Sequence, residues 1–533
     1  MKSNFLLLFL LISKLCIAQN NYGKSWVVYD PNNTLTFQKQ ANGQFNFILN
    51  STLSFPPYAG YNYMGNSRNS ICDSLTGNLL FVTNGKYIYD AFAMPLDNSD
   101  SLVSPYAYLQ NYAINNNQGT LILPKANRKF DIFFPYTSDV IWDTAQYEDL
   151  MLHHVVDMNA NGGLGTVIKK QENILPTNIH LSSLNMDAVR HANGVNWWIL
   201  KLGWGMGKFD SLYLYTWLVK EDTIAGPFAN SAGPHGNAVL DCSYHYRFAE
   251  LKFSIDGTMF AGTHGCNTFY YGNFNRCSGA ISNIKFIAPP LDSTYTMPND
   301  TTTYIDSAAS TVNVATGILI SPNNKYIYLA GKARILQYDI AEPNPNLAFI
   351  KLMNGPDTTF YQYSYGKGSM QYAPDSSIVI FQQNGSSQDI LSVIEHPDVK
   401  GKGCSYRFDK IKYQPGAVFP VSSNHPNHPN WLLGADSTLC WPLATKTVAL
   451  KNMDVTVYPN PANSNIEIAY QCNNSNGTFY LYNAVGAPVV QYVLPKGQLT
   501  KTISIADLST GVYTYKVVFD ACGTKFGKIN IVH

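Results

Sequence analysis

One stretch constrains this chain more than any other feature. Residues 317–340 read Gly-Ile-Leu-Ile-Ser-Pro-Asn-Asn-Lys-Tyr-Ile-Tyr-Leu-Ala-Gly-Lys-Ala-Arg-Ile-Leu-Gln-Tyr-Asp-Ile. Three runs rich in β-branched and aromatic residues, 317–321, 326–330 and 335–340, are separated by Pro322-Asn323-Asn324 and Gly331-Lys332. Pro presets φ, and Asn and Gly tolerate positive φ, so both breaks favour tight reversals. The unit is therefore an antiparallel meander. Its middle run does not alternate apolar with polar, which implies a sheet covered on both faces. Ser254-Ile255-Asp256-Gly257, Ser321-Pro322-Asn323-Asn324 and Ala373-Pro374-Asp375-Ser376 hold the same place in their units. They mark a diverged internal repeat with a period of roughly 50–65 residues.

Further units follow the same plan. One runs from Ser70 to Asp90 through an Asn84-Gly85 turn, one from Gln118 to Met158, one from Ala188 to Trp217, one from Leu251 to Gly279 and one from Gly368 to Ile394. Asn-Gly between apolar runs is the strongest short-range hairpin signal. A meander covered on both faces is what a β-propeller blade looks like, because each blade packs between two neighbours. The expectation is an all-β chain: a propeller of seven blades followed by a small antiparallel β-sandwich. Six units are visible. The N-terminal strands are expected to complete a seventh with strands near the end of the body.

Composition narrows the classes. A chain of 533 residues exceeds one ordinary core. With 36 Lys and Arg against 35 Asp and Glu, nothing argues for nucleic acid. Charged residues are 13% and Tyr numbers 36, which disfavours a helical bundle written in Glu and Lys. Lys2 followed by an apolar run at 5–12 reads as a leader cleaved after Ala18. The rival, a lipoprotein anchored through Cys16, has a poor lipobox in Ser13-Lys14-Leu15. No other stretch is apolar enough to span a bilayer. The expected domains are 1–18 leader, 19–441 propeller, 442–452 linker and 453–533 C-terminal domain.

Eight cysteines remain after the leader, an even count that reads as disulfides formed outside the cytosol. Proximity suggests Cys266–Cys277, Cys404–Cys440 and Cys472–Cys522. No Cys-x-x-Cys pair points to zinc. His191, His235, His245 and His264 lie in or near successive units, but no acidic partner has ligand spacing. His425-Pro426-Asn427-His428 is read as a loop, since Pro426 and Pro429 forbid a helix. Asp256-Gly257 and Pro374-Asp375 lack the calcium-loop pattern and are turn residues. No Gly-x-Ser-x-Gly supports a hydrolase elbow. Arg190 beside Trp197-Trp198 is either a stacking surface for a glycan or core packing. No catalytic residue, metal site or cofactor is expected.

The Ser-Pro-Asn-Asn-Lys-Tyr-Ile-Tyr element resembles WD40- and YVTN-type propeller repeats. Val189-Arg190-His191-Ala192-Asn193-Gly194 with Trp197-Trp198, Asp157-Met158 with Gly162-Gly163-Leu164-Gly165, Asn275-Arg276-Cys277-Ser278-Gly279, and Leu391-Ser392-Val393-Ile394 with Pro397 resemble extracellular propeller proteins of Bacteroidetes. This likeness covers about residues 60–440 and implies a fold rather than a chemistry. The C-terminal stretch carries Tyr458-Pro459-Asn460-Pro461-Ala462 at its start. Near its end stand Asp507-Leu508-Ser509-Thr510-Gly511-Val512-Tyr513 and then Gly527-Lys528-Ile529-Asn530-Ile531. It resembles the type A C-terminal sorting domain of the type IX secretion system. Tyr458, Pro459, Asn460, Pro461, Asp507, Leu508, Gly511, Tyr513, Gly527 and Lys528 carry the sorting motif. The resemblance implies the secretion machinery as a partner, passage through the periplasm, and a mature body at the outer-membrane surface or outside the cell. The functional expectation is a binding or adhesion protein for a glycan, protein or matrix ligand. The alternative is a lactonase-like hydrolase or lyase on a propeller scaffold.

Overall fold

The computed structural model describes residues 22–27, 34–39, 45–50, 69–104, 118–138, 147–205, 208–234, 249–264, 268–288, 294–296, 303–305, 315–331, 334–352, 368–383, 389–411, 427–431, 433–436, 455–472, 475–483, 488–519 and 523–533. The leader and the linker lie outside these. The chain divides into two compact units, Met1–Cys440 and Trp441–His533. It is an all-β protein built from several antiparallel sheets.

In the body, strands β1 (Ser25–Val27), β2 (Thr34–Lys39) and β3 (Phe45–Asn50) form the first sheet, and β4 (Asn69–Cys72), β5 (Leu79–Thr83) and β6 (Ile88–Asp90) the second. The third joins β7 (Leu121–Pro124), β8 (Lys129–Tyr136), β10 (Leu150–Asp157) and β11 (Thr166–Asn173); the intervening β9 (Tyr147–Glu148) pairs instead with β12. The fourth continues through β12 (His180–Arg190), β13 (Trp197–Gly205), β14 (Lys208–Val219) and β15 (Ile224–Pro234). The fifth holds β16 (Leu251–Phe253), β17 (Met259–His264), β18 (Thr268–Phe274) and β19 (Ile281–Ile287). A small hairpin, β20 (Thr294–Thr296) and β21 (Thr303–Ile305), precedes the sixth sheet. That sheet contains β22 (Ala315–Ile320), β23 (Tyr326–Gly331), β24 (Arg334–Asp339) and β25 (Phe349–Lys351). The seventh contains β26 (Gly368–Tyr372), β27 (Ile378–Gln383), β28 (Asp389–Ile394) and β29 (Tyr406–Ile411).

The non-alternating middle runs behave as two-faced strands. On β23, Ile327 and Leu329 enter a cluster shared with the fifth sheet, while Tyr328 and Ala330 enter one shared with the seventh. On β27, Ile378 and Ile380 face the sixth sheet, and Val379 and Phe381 face Trp26, Leu35 and Phe37 of the first. The two-residue period of a strand thus sends alternate apolar side chains into two different cores. Each fully buried Leu, Ile or Phe contributes about 1.5–3 kcal/mol relative to exposure. The first strands lie side by side in chain order: β1 by β4, β4 by β7, β7 by β12, β12 by β16, β16 by β22 and β22 by β26.

The repeated turn has one physical cause. The side-chain oxygens of Asp256, Asn323 and Asp375 accept the backbone N–H two residues on, from Thr258, Lys325 and Ser377, at 3.0 Å each. The next residue takes positive φ in all three: Gly257 at 72°, Asn324 at 58° and Ser376 at 68°. This is an Asx turn followed by a left-handed residue.

One expectation needs correction. The third to seventh sheets each carry an outer strand that the unit pattern ends before, namely β11, β15, β19, β25 and β29. Two of these, β19 and β25, have no fully buried residue; Ile284, Ile287 and Phe349 pack against the neighbouring cores only partly buried. Closing strands near the end of the body would fall largely on residues 412–426 and 437–441, which lie outside the described residues.

In the C-terminal unit, β30 (Val455–Tyr458), β31 (Asn465–Tyr470) and β34 (Thr500–Ser504) form one sheet. The other sheet is β33 (Pro488–Leu494), β32 (Gly477–Tyr482), β35 (Gly511–Phe519) and β36 (Gly523–Ile531). Alternate residues such as Ile466, Ile468, Phe479, Leu481 and Val517 fill the core between them. This is the expected small sandwich.

Candidate functional site

The first strands carry polar residues where a core strand would not: Asn69, Thr120 just before β7, Asp187, Lys252 and Gln371, all buried. The segment 427–431 is threaded among them. Asn427 donates from Nδ2 to the carbonyls of Thr120 and Met186 at 3.3 and 2.9 Å, and its own carbonyl accepts Asn69 Nδ2 at 2.7 Å. His428 Nε2 meets the Ser70 carbonyl at 2.8 Å, and Gln371 Nε2 donates to the His428 carbonyl at 3.1 Å. Trp431 Nε1 donates to the Ile122 carbonyl at 3.1 Å. Three residues, Asn427, His428 and Trp431, therefore tie together β4, β7, β12 and β26, and every bond is made in buried surroundings, where an unmade one is costly.

Beside this segment lies a cavity of about 410 Å³. Trp26, Phe253, Leu319, Tyr372 and Trp431 wall it, and Asp187, Lys252 and Gln371 give it polar groups. Lys252 is 2% exposed and donates from Nζ to Gln371 Oε1 at 2.9 Å and Asn427 Oδ1 at 3.3 Å. Asp187 is 3% exposed and accepts the N–H groups of Ala188 and Phe253, each at 2.8 Å. Burial pushes the Asp187 carboxyl up to about 6, against the pull of Lys252 and those two N–H groups. Burial also pulls the Lys252 ammonium down, opposed by Asp187 and Glu250. The arrangement is suited to holding a small molecule by apolar contact and a few fixed charges.

Apart from Asn427 and His428, which stand in the His425–His428 loop, no motif in the sequence marks these residues. Their signal is a lone charge inside an apolar strand run, Leu251-Lys252-Phe253 and Met186-Asp187-Ala188. His428 was read correctly as part of a loop, with no hint of its burial.

The residues that were singled out are placed as follows. Arg190 is 7% exposed, stacks 3.9 Å from the Trp197 ring centre and donates to the Val195 carbonyl at 3.0 Å. Trp197 and Trp198 are buried and bond the carbonyls of Pro124 and Arg276, so this trio is core packing. His191 uses both ring nitrogens on the backbone, at the Cys277 carbonyl and the Asn193 N–H, each at 2.9 Å. His235 and His245 lie outside the described residues. Among the described residues no group of three or more His, Cys, Asp or Glu is placed to hold a metal ion.

The pairing of Cys404 with Cys440 is corrected: Cys404 is a free thiol, wholly buried among Leu319, Tyr328 and Ile394. Its 3-10 turn, Gly401–Cys404, packs it inward, where it bonds the Tyr328 hydroxyl. Cys277 and Cys472 are not among the free thiols, and Cys266, Cys440 and Cys522 lie outside the described residues.

In the C-terminal unit the sorting-motif residues act on one another. Asn460 donates from Nδ2 to the Lys528 carbonyl at 3.1 Å and accepts the Asn530 N–H on Oδ1 at 2.8 Å, clamping the opening Tyr-Pro-Asn-Pro onto the last strand. The peptide bonds before Pro459 and Pro461 are cis. Gly527 lies against the Tyr515 ring, which would have to shift to admit a Cβ there. Tyr513 Oη donates to the Ser509 carbonyl at 2.9 Å, tying the Asp507–Gly511 turn to β35, and Leu508 packs on the core. Among the described residues no helix is long and apolar enough to cross a membrane.

No curated protein matches the chain. Among solved structures it is similar to a functionally unknown protein from Desulfotomaculum acetoxidans, at 9% identity and a TM-score of 0.28, over 71% of this chain and 99% of that one. It is also similar to Hsv2 of Kluyveromyces lactis, at 10% identity and a TM-score of 0.24, over 73% of this chain and 96% of that one. Scores this low carry no argument. The C-terminal unit is different: residues 456–531 match the model of the secretion system C-terminal sorting domain, so this unit is a type IX sorting domain and marks the protein for export to the cell surface or the extracellular space.

Proposed function

We propose that the protein is a secreted or surface-bound binding protein whose body is a seven-bladed β-propeller and whose ligand site is the cavity beside Asn427–Trp431. One observation carries this reading: aromatic walls and a few fixed polar groups meet in a cavity of about 410 Å³ where the first strands of successive sheets run side by side. Support for the propeller comes from the same neighbour relations, together with the core shared by the first and seventh sheets. A wall of Trp, Tyr and Phe favours binding over the lactonase-like alternative; Asp187, Asp256 and His428 also line the cavity, but each is engaged by the backbone. On this reading the leader ends at Ala18, Cys266 pairs with Cys277 and Cys472 with Cys522, and the tail from about Met453 serves only transport.

Two measurements test it. Deleting residues 453–533 is expected to leave thermal unfolding of the body unchanged while the protein stays in the periplasm; normal export of the truncated form refutes the sorting role. A glycan array and a small-molecule thermal-shift panel on the full chain are expected to yield ligands that Trp431→Phe weakens. Failure to find any ligand, or hits indifferent to that change, refutes the cavity as the site.

A further inference from the structure

We propose that this cavity takes a small zwitterion with an apolar body, of the class of aromatic and branched α-amino acids, with the ligand carboxylate on Lys252 and its ammonium on Asp187. The inference rests on the cavity being the ligand site. Asp187 and Lys252, of opposite charge, line one largely apolar cavity together with Asp256, yet the two do not close on each other as an ion pair. Among the described residues Lys252 Nζ donates to two neutral oxygens, those of Gln371 and Asn427, and an ammonium has three protons to give. Asp187 accepts one backbone N–H on each oxygen and retains lone pairs on both.

Charges kept in apolar surroundings without a close counter-ion are costly. The upward push on Asp187 and the downward pull on Lys252 express that cost. A ligand bearing both complementary charges compensates both residues at once. A ligand bearing one leaves the other residue uncompensated, so the pair selects zwitterions.

Of the neighbouring charges, Glu250 acts through space on both Lys252 and Asp187, but it does not line the cavity. Glu250 is turned to the N–H groups of Ile318 and Met370, at 3.3 and 3.2 Å. Asp256 is occupied by Ser254, Thr258 and Asn324. The apolar body of the ligand has Trp26, Phe253, Tyr372 and Trp431 to lie against. Aromatic walls add attraction for an ammonium near a ring face.

The test is isothermal titration of the full-length protein near neutral pH with L-phenylalanine, phenethylamine and 3-phenylpropanoate. Phenylalanine is expected to bind saturably, and each singly charged analogue roughly 10-fold or more weakly, one decade per lost charge contact. Lys252→Met is expected to remove the preference over phenethylamine, and Asp187→Asn the preference over 3-phenylpropanoate. Comparing the three ligands on the unaltered protein decides the matter even where a variant fails to fold. An analogue that equals phenylalanine overturns the zwitterion and leaves the cavity as a binding site. No saturable binding by any of the three up to millimolar concentration overturns the inference, and the broader panel above then judges the cavity.

Discussion

Asp187 makes the stability of the body depend on pH in a calculable way. Its carboxyl titrates at about 6 in the folded protein against an ordinary 3.8, because burial disfavours the charged form more than Lys252 and two N–H donors favour it. The folded state therefore keeps its proton to higher pH than the unfolded chain. The contribution is at its most favourable below pH 3.8 and is lost as pH rises through about 6. At about 1.4 kcal/mol per unit, the loss is about 3 kcal/mol. Asp187→Asn removes the titration. It also puts an amide where one oxygen accepted the Phe253 N–H, a pH-independent cost of about 1–3 kcal/mol. The measurable quantity is thus the difference in unfolding free energy between variant and parent, from urea denaturation at several pH values between 4 and 7. Titrations common to both proteins cancel in that difference. It is expected to move by about 2 kcal/mol in favour of the variant as pH rises across this window, most of the full loss. A flat difference, or one moving the other way, would refute the assignment of Asp187 as a destabilised buried carboxylate.

Two further outcomes follow from buried side chains. Lys201 and Glu148 form an ion pair at 3.1 Å with 1% and 0% exposure, so Lys201→Met alone is expected to cost about 3–5 kcal/mol by stranding the carboxylate, whereas pairing it with Glu148→Leu recovers most of the loss in the same urea assay. Cys404 is wholly buried and its thiol is pushed up by burial, so an alkylating reagent should leave it unmodified in the folded protein and label it once urea unfolds the body; a Cys404–Cys440 peptide in a non-reducing digest would overturn its status as a free thiol.

Much of the architecture was legible because it rests on local chemistry. Asp256, Asn323 and Asp375 announce their turns by the same Asx bond, and the positive φ of the following residue admits Gly, Asn or Ser at little cost. Runs such as Tyr326–Ala330 announce two-faced burial because both sets of alternate side chains are apolar. Asn460 and Gly527 stand in motifs whose residues clamp one another, so the sorting domain was recognisable from its own short stretches.

What the sequence alone determined, then, was the succession of inner strands, their turns and the C-terminal sandwich, since each follows from propensity and period within a few residues. Tertiary structure decided the rest. Outer strands such as β19 and β25 are nowhere fully buried, so their apolar residues, Ile284 and Phe349 among them, pack only partly and show no two-residue period of burial. The site depends on Asp187, Lys252, Gln371 and Asn427, which lie up to 240 residues apart and meet through buried hydrogen bonds such as that from Asn427 to the Met186 carbonyl. No local pattern encodes such a meeting. A lone lysine in a strand reads as an edge residue until the fold encloses it, and the desolvation that makes Asp187 and Lys252 interesting is a property of everything packed around them.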